Sequence, residues 1–178
     1  MKKIVIFAAI TLLSIGYIFS QELKWETDEE KSYKIPVGLC TWDDLVQSEF
    51  NYLLREYSIN VILDANATVE LAKVLENQPN SHYEIEAFFA AWDEESLKQL
   101  PHFYAFVKTM ETKYQQPIEF KLIGCNREYE CGGLGDPEAM PYFKVYRISE
   151  NGERTLVGVI SEAPAKSYEA DVLNIIKH

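Results

Sequence analysis

The groups able to do chemistry fall into a few short stretches. Trp92-Asp93-Glu94-Glu95-Ser96 places three acids where a helix reads as starting. A carboxylate there is favoured by the unpaired N–H groups of the first turn and by the helix dipole, by about 0.3–1 kcal/mol, and its oxygen caps the turn. The chain has three cysteines, Cys40, Cys125 and Cys131. An odd number leaves at least one thiol free or joined to another molecule. Cys125 ends an apolar alternating run and Cys131 lies in the glycine-rich loop beside it. The two read as a redox pair, as a structural disulfide, or as a buried Cys125 with an unrelated surface Cys131. Redox work would require a thiol of depressed pKa. Cys40 has no recognisable partner and reads as half-buried.

Other chemistry finds little footing. His82, His102 and His178 show no ligand spacing, and nothing supports a metal site built from Asp93, His102 and a cysteine. Gly132-Gly133-Leu134-Gly135 lacks the lysine and Ser/Thr that would follow in a phosphate cradle and reads as a turn-rich loop. No Ser-His-Asp or paired-carboxylate arrangement is discernible. No cofactor and no metal are expected.

The elements that must position these groups follow from periodicity. Residues 21–40 read as a linker with an acidic patch, Glu26-Thr27-Asp28-Glu29-Glu30, and an extended stretch around Pro36. Thr41 caps a helix over 42–57, with Val46, Phe50, Leu53 and Tyr57 on one stripe. Ile59, Val61 and Leu63 alternate as a short strand. A helix starting at Asn66 or Thr68 and running to about Asn77 follows, then the turn Pro79-Asn80-Ser81 and a buried strand over 83–89. A long helix over 94–114 contains Pro101, which removes a backbone hydrogen bond at a cost of roughly 3 kcal/mol. Ile118, Phe120 and Leu122 form another strand. Residues 124–139 read as an irregular loop. Strands over 142–148 and 155–160 are joined around Asn151-Gly152, a hairpin signal. A last helix starts at Pro164 or Ala165 and runs to Ile176.

Strand, Trp92 and its acidic helix start, Pro101 inside the helix, and Met140-Pro141 ahead of Tyr-Phe-Lys-Val-Tyr together resemble the thioredoxin superfamily. The resemblance covers about residues 59–178. It is similar to a secreted bacterial branch in which the second motif cysteine is often a serine. The resemblance implies an α/β fold: a thioredoxin-like three-layer sandwich around a mixed central sheet, here with an N-terminal helical extension over 21–58. It puts Asp93 where the nucleophilic thiol would be and Ser96 where the resolving thiol would be. A carboxylate cannot form a mixed disulfide, so a redox-inactive module is expected. The resemblance also implies a cis peptide bond at Met140-Pro141, in a loop that accepts substrate backbone. Trp92, Asp93, Met140, Pro141 and Tyr142 are the expected binding residues, forming a partly apolar patch of the kind that marks protein contacts. The alternative is a thiol–disulfide oxidoreductase acting through a displaced pair, Cys125 and Cys131.

Composition bounds the setting. A chain of 178 residues usually makes one domain. A net charge of −11 argues against nucleic acid and anionic membrane surfaces as partners. Residues 1–20 read as a secretory signal: Lys2 and Lys3, an apolar run from Ile4 to Phe19, and cleavage near Ser20. No cysteine follows the apolar run, which argues against a lipoprotein anchor. An uncleaved N-terminal anchor is the alternative. The expected location is periplasmic or secreted, with no membrane contact after cleavage. The expected partner is a protein or peptide of the cell envelope.

Overall fold

The computed structural model describes residues 23–178. The signal-like segment 1–20 lies outside the described residues. The elements are β1 (Lys24–Asp28), β2 (Tyr33–Cys40), α1 (Trp42–Val46), α2 (Asn51–Ser58), α3 (Ala65–Glu76), β3 (Ser81–Phe89), α4 (Glu94–Tyr114), β4 (Glu119–Gly124), β5 (Tyr142–Ser149), β6 (Arg154–Ser161) and α5 (Tyr168–Lys177). Six strands form one sheet in the order β1-β2-β4-β3-β5-β6. Only β3 and β4 run parallel, with Ala87 opposite Leu122; every other neighbouring pair is antiparallel.

Alternation along β3 divides the interior in two. Tyr83, Ile85, Ala87 and Phe89 join a core to which all five helices contribute, through Leu45, Leu54, Leu71, Phe103 and Val172 among others. Phe103 is its centre. Its ring stacks on Phe143 at 4.3 Å and meets Tyr168 edge-on at 4.9 Å. Phe88 points the other way, into a smaller cluster with Ala90, Ile123, Cys125, Cys131, Met140 and Tyr142. Among the described residues, no helix residue enters that cluster.

The expected third layer of helix is therefore absent among the described residues; the loop 125–140 covers one end of that face instead. Glycine explains why. Gly132 has φ +66°, and a Cβ there would stand 2.9 Å from the Cα of Gly38 on β2. A Cβ on Gly135 would come within 3.0 Å of the Phe88 ring. A segment drawn this close to the sheet has no room for helical side chains.

Beyond the loop, the same face is a charged surface that needs no cover. Glu84 is almost fully buried by its partners: Lys121 of β4 bonds it at 2.5 Å, and the Arg154 Nε of β6 at 2.9 Å. Arg154 also lies over the Tyr146 ring at 3.3 Å. Cross-strand pairs of opposite charge stabilise a solvated sheet face.

Several expectations fail in instructive ways. Residues 24–40 are not a linker but a hairpin, with β2 paired to β4 and β1 outside it. The acidic patch sits at its turn, where Asp28 is buried rather than solvated. The helix over 42–57 is two, broken across Gln47–Phe50; Leu45 and Leu54 are fully buried while Val46 is exposed. The strand over 59–63 does not form. Ile59 closes α2, and with Ile62 it is more than three-quarters exposed. The last helix begins at Tyr168, capped by the Ser167 hydroxyl. The Asn151-Gly152 turn does close β5 and β6, with Gly152 at φ +82° and Ser149 N–H bonded to Glu153 C=O at 3.0 Å.

Candidate functional site

The start of α4 is fixed by its own sequence. Asp93 is the N-cap, in an extended conformation, and its Oδ2 accepts the Ser96 N–H at 2.8 Å. Ser96 is fully buried, and its hydroxyl accepts the Ala90 N–H at 3.2 Å. The side-chain hydrogen bonds of both residues stay within residues 90–96. Tyr33 of β2 braces the same corner by donating its hydroxyl to the Ala91 carbonyl at 2.7 Å. Burial pushes the Tyr33 hydroxyl up to about 12, so it keeps the proton it donates.

Met140-Pro141 is a cis peptide bond, as expected. The Pro141 carbonyl accepts the Glu162 N–H at 2.8 Å. Among the described residues, neither the N–H nor the C=O of Met140 has a protein partner. Met140 and Tyr142 belong to the small cluster with the two cysteines, and Trp92 packs against it. The structure thus gathers Trp92, Met140, Tyr142, Cys125 and Cys131, with Pro141 between two of them.

Cys125 and Cys131 are joined, with Cα atoms 4.3 Å apart. Both are buried. Cys40 is free and buried rather than half-buried, and burial pushes its thiol up to about 12. A thiol so far from ionising is a poor nucleophile.

The ring closed by the disulfide holds what sequence reasoning missed. Asn126 Oδ1 accepts the N–H groups of Glu128 and Glu130 at 3.1 and 2.9 Å. Arg127 grips Asp28 with two nitrogens, at 2.6 and 3.1 Å, and Glu30 at 2.9 Å. Its guanidinium holds the Asp28 carboxyl below the usual carboxylate range, against the opposing effect of burial. The same guanidinium lies 5.2 Å from the Trp92 ring, and Tyr129 meets that ring edge-on at 6.2 Å. Trp92 donates its indole N–H to the Cys125 carbonyl at 3.3 Å. The acids of residues 26–30 were visible in the sequence; their partner lies 99 positions from Asp28, beyond the reach of local pattern.

Among the described residues, no three His, Cys, Asp or Glu side chains converge as metal ligands. No helix among them is long and apolar enough to cross a membrane.

Over the described residues these features define an α/β architecture with a mixed six-stranded sheet, five helices and a disulfide-closed loop beside a capped helix start. No protein-family model, no curated protein and no solved structure matches the chain.

Proposed function

We propose that this is an exported thioredoxin-like module that has lost redox chemistry and binds a protein or peptide of the cell envelope. The order β3-α4-β4-β5-β6-α5, with β3 and β4 parallel and a cis proline ahead of β5, supports the thioredoxin-like reading. The observation that carries the loss of redox chemistry is the closed start of α4. Asp93 and Ser96 spend their hydrogen-bonding groups on the local backbone, and neither offers a sulfur. The main-chain groups of Met140, which have no protein partner among the described residues, are the ones an extended segment would pair with beside half-buried Trp92, over the buried side chains of Met140 and Tyr142. An insulin-reduction assay with dithiothreitol tests the first half of the reading: the protein gives no acceleration over buffer. A crosslinkable amino acid at Trp92 tests the second, by capturing an envelope protein at that position and not at exposed Tyr52 on α2.

A second reading has one observation in its favour, the Cys125–Cys131 bond itself. It makes the chain an oxidoreductase in which a substrate thiolate attacks one sulfur and the other leaves as thiolate. Both sulfurs are buried, so the loop must open before attack. Insulin reduction that vanishes in a Cys125→Ser variant establishes this reading and overturns the first.

A further inference from the structure

We propose that a cleft at the opposite end of the sheet from Trp92 binds a small organic cation. Tyr83 near the start of β3, Phe120 on β4 and Cys40 at the end of β2 place it there, whereas Trp92 follows the end of β3. The cavity is about 630 Å³, within the range of small-molecule sites. The Trp42 and Tyr104 rings, both lining it, stack at 4.0 Å and within 5° of parallel. Val107 and Leu122 complete an apolar floor.

Charge gives the sign of the ligand. The mouth carries Asp43, Glu111 and Glu119 against Lys108 and His82. Lys108 is neutralised by Glu111 at 2.7 Å, and Glu119 lies 3.4 Å from Lys121. Asp43 has no ion-pair partner among the described residues. The Lys108 ammonium stands 5.9 Å from the Tyr104 ring centroid, so the protein's own cation already visits this wall. Aromatic faces beside an acidic rim favour an ammonium whose carbon substituents fill the floor. A bare metal ion is disfavoured, since no three ligating side chains converge there and an apolar floor returns none of its hydration. The net charge of −11 draws cations toward the surface as a whole. This site is independent of the Trp92 face.

The test is an amide NMR titration of the full chain with choline and with its neutral carbon analogue, 3,3-dimethylbutan-1-ol. Choline is expected to give saturable shifts confined to residues 40–43, 104–111 and 118–120, with affinity about tenfold above the neutral analogue. Tyr104→Ala weakens choline binding about tenfold. Asp43→Asn, at an exposed position, lowers it severalfold and keeps the assignment testable if the Tyr104 variant misfolds. Absence of saturable shifts at millimolar choline overturns the site. Equal affinity for the neutral analogue overturns its preference for a cation.

Discussion

At the scale of single residues, the start of α4 shows how a position suited to chemistry is turned to architecture. Asp93 accepts one backbone N–H and Ser96 another, and these are the two side chains that the family resemblance would have made thiols. Asp93→Ala is expected to cost about 1 kcal/mol, the worth of an N-cap, read from urea unfolding. Ser96→Ala costs about 1–3 kcal/mol, because it strands the buried Ala90 N–H. Asp93→Cys is the sharper experiment. A cysteine there sits at a helix N-terminus, which lowers thiol pKa, so it should react with Ellman's reagent faster than Cys40, whose thiol burial pushes up to about 12. A cysteine at position 93 as inert as Cys40 sinks the equivalence between that position and a redox thiol. The acidic helix start and its cap were legible because a cap needs only neighbours in sequence. The Arg127 grip on Asp28 was not, because the two ends meet only after β1 and β4 have been brought into the same sheet.

At the scale of elements, legibility followed burial pattern. β3, α4, β4 and the β5–β6 hairpin carry enough apolar residues at the right period to declare themselves. The hairpin β1–β2 did not. Four of the five β1 residues are exposed, so an outer strand reads as a polar linker, and Pro36 and Gly38 interrupt the period of β2. The apolar residues at 59–63 misled for the converse reason. They alternate correctly, yet α2 ends there and among the described residues the segment pairs with no strand, so Ile59 and Ile62 stay in water. What seats β2 against β4 is a glycine. A Cβ on Gly124 would stand 2.3 Å from the Pro36 carbonyl oxygen, a backbone atom that cannot swing aside. Gly124→Ala is therefore expected to destabilise by about 3 kcal/mol or more. Hydrogen exchange should then speed up in β1 and β2 while β3 and β5 stay protected. Loss spread evenly over the sheet would show that the hairpin is not a separable unit. On the helical side the equivalent probe is Phe103→Ala, expected to cost about 3–5 kcal/mol because its ring meets four other aromatic rings at the centre of the core.

At the scale of the whole molecule, two of the buried carboxylates, Asp28 and Glu169, tie distant parts of the chain together and contribute to its response to acid. Asp28 fastens the N-terminal hairpin to the disulfide loop through Arg127. Glu169 of α5, with no exposed side-chain surface, meets the His102 ring of α4 at 3.0 Å. Its Oε2 has no protein partner, so the imidazole carries most of the compensation. Burial works to raise the Glu169 carboxyl, but the His102 bond and the local backbone outweigh it and leave it below the usual range; Arg127 does the same for Asp28. Both carboxyls bind protons more weakly folded than unfolded. Their contribution is thus fully present above the unfolded pKa values near 4, and is lost as pH falls through the depressed folded values. Urea unfolding from pH 7 to pH 2 should show a stability plateau in its upper part and a decline that begins near pH 4 and continues below it. Glu169→Gln keeps the shape and removes the titration, so it flattens part of that decline while changing little of its Asp28 share. Asp28→Asn does the reverse, and the double variant declines least over the same span while keeping the share of other lowered carboxyls such as Glu70. If the single variants decline as steeply as the unaltered protein, the acid response is carried by exposed carboxylates, and the α4–α5 and hairpin–loop ties contribute packing alone.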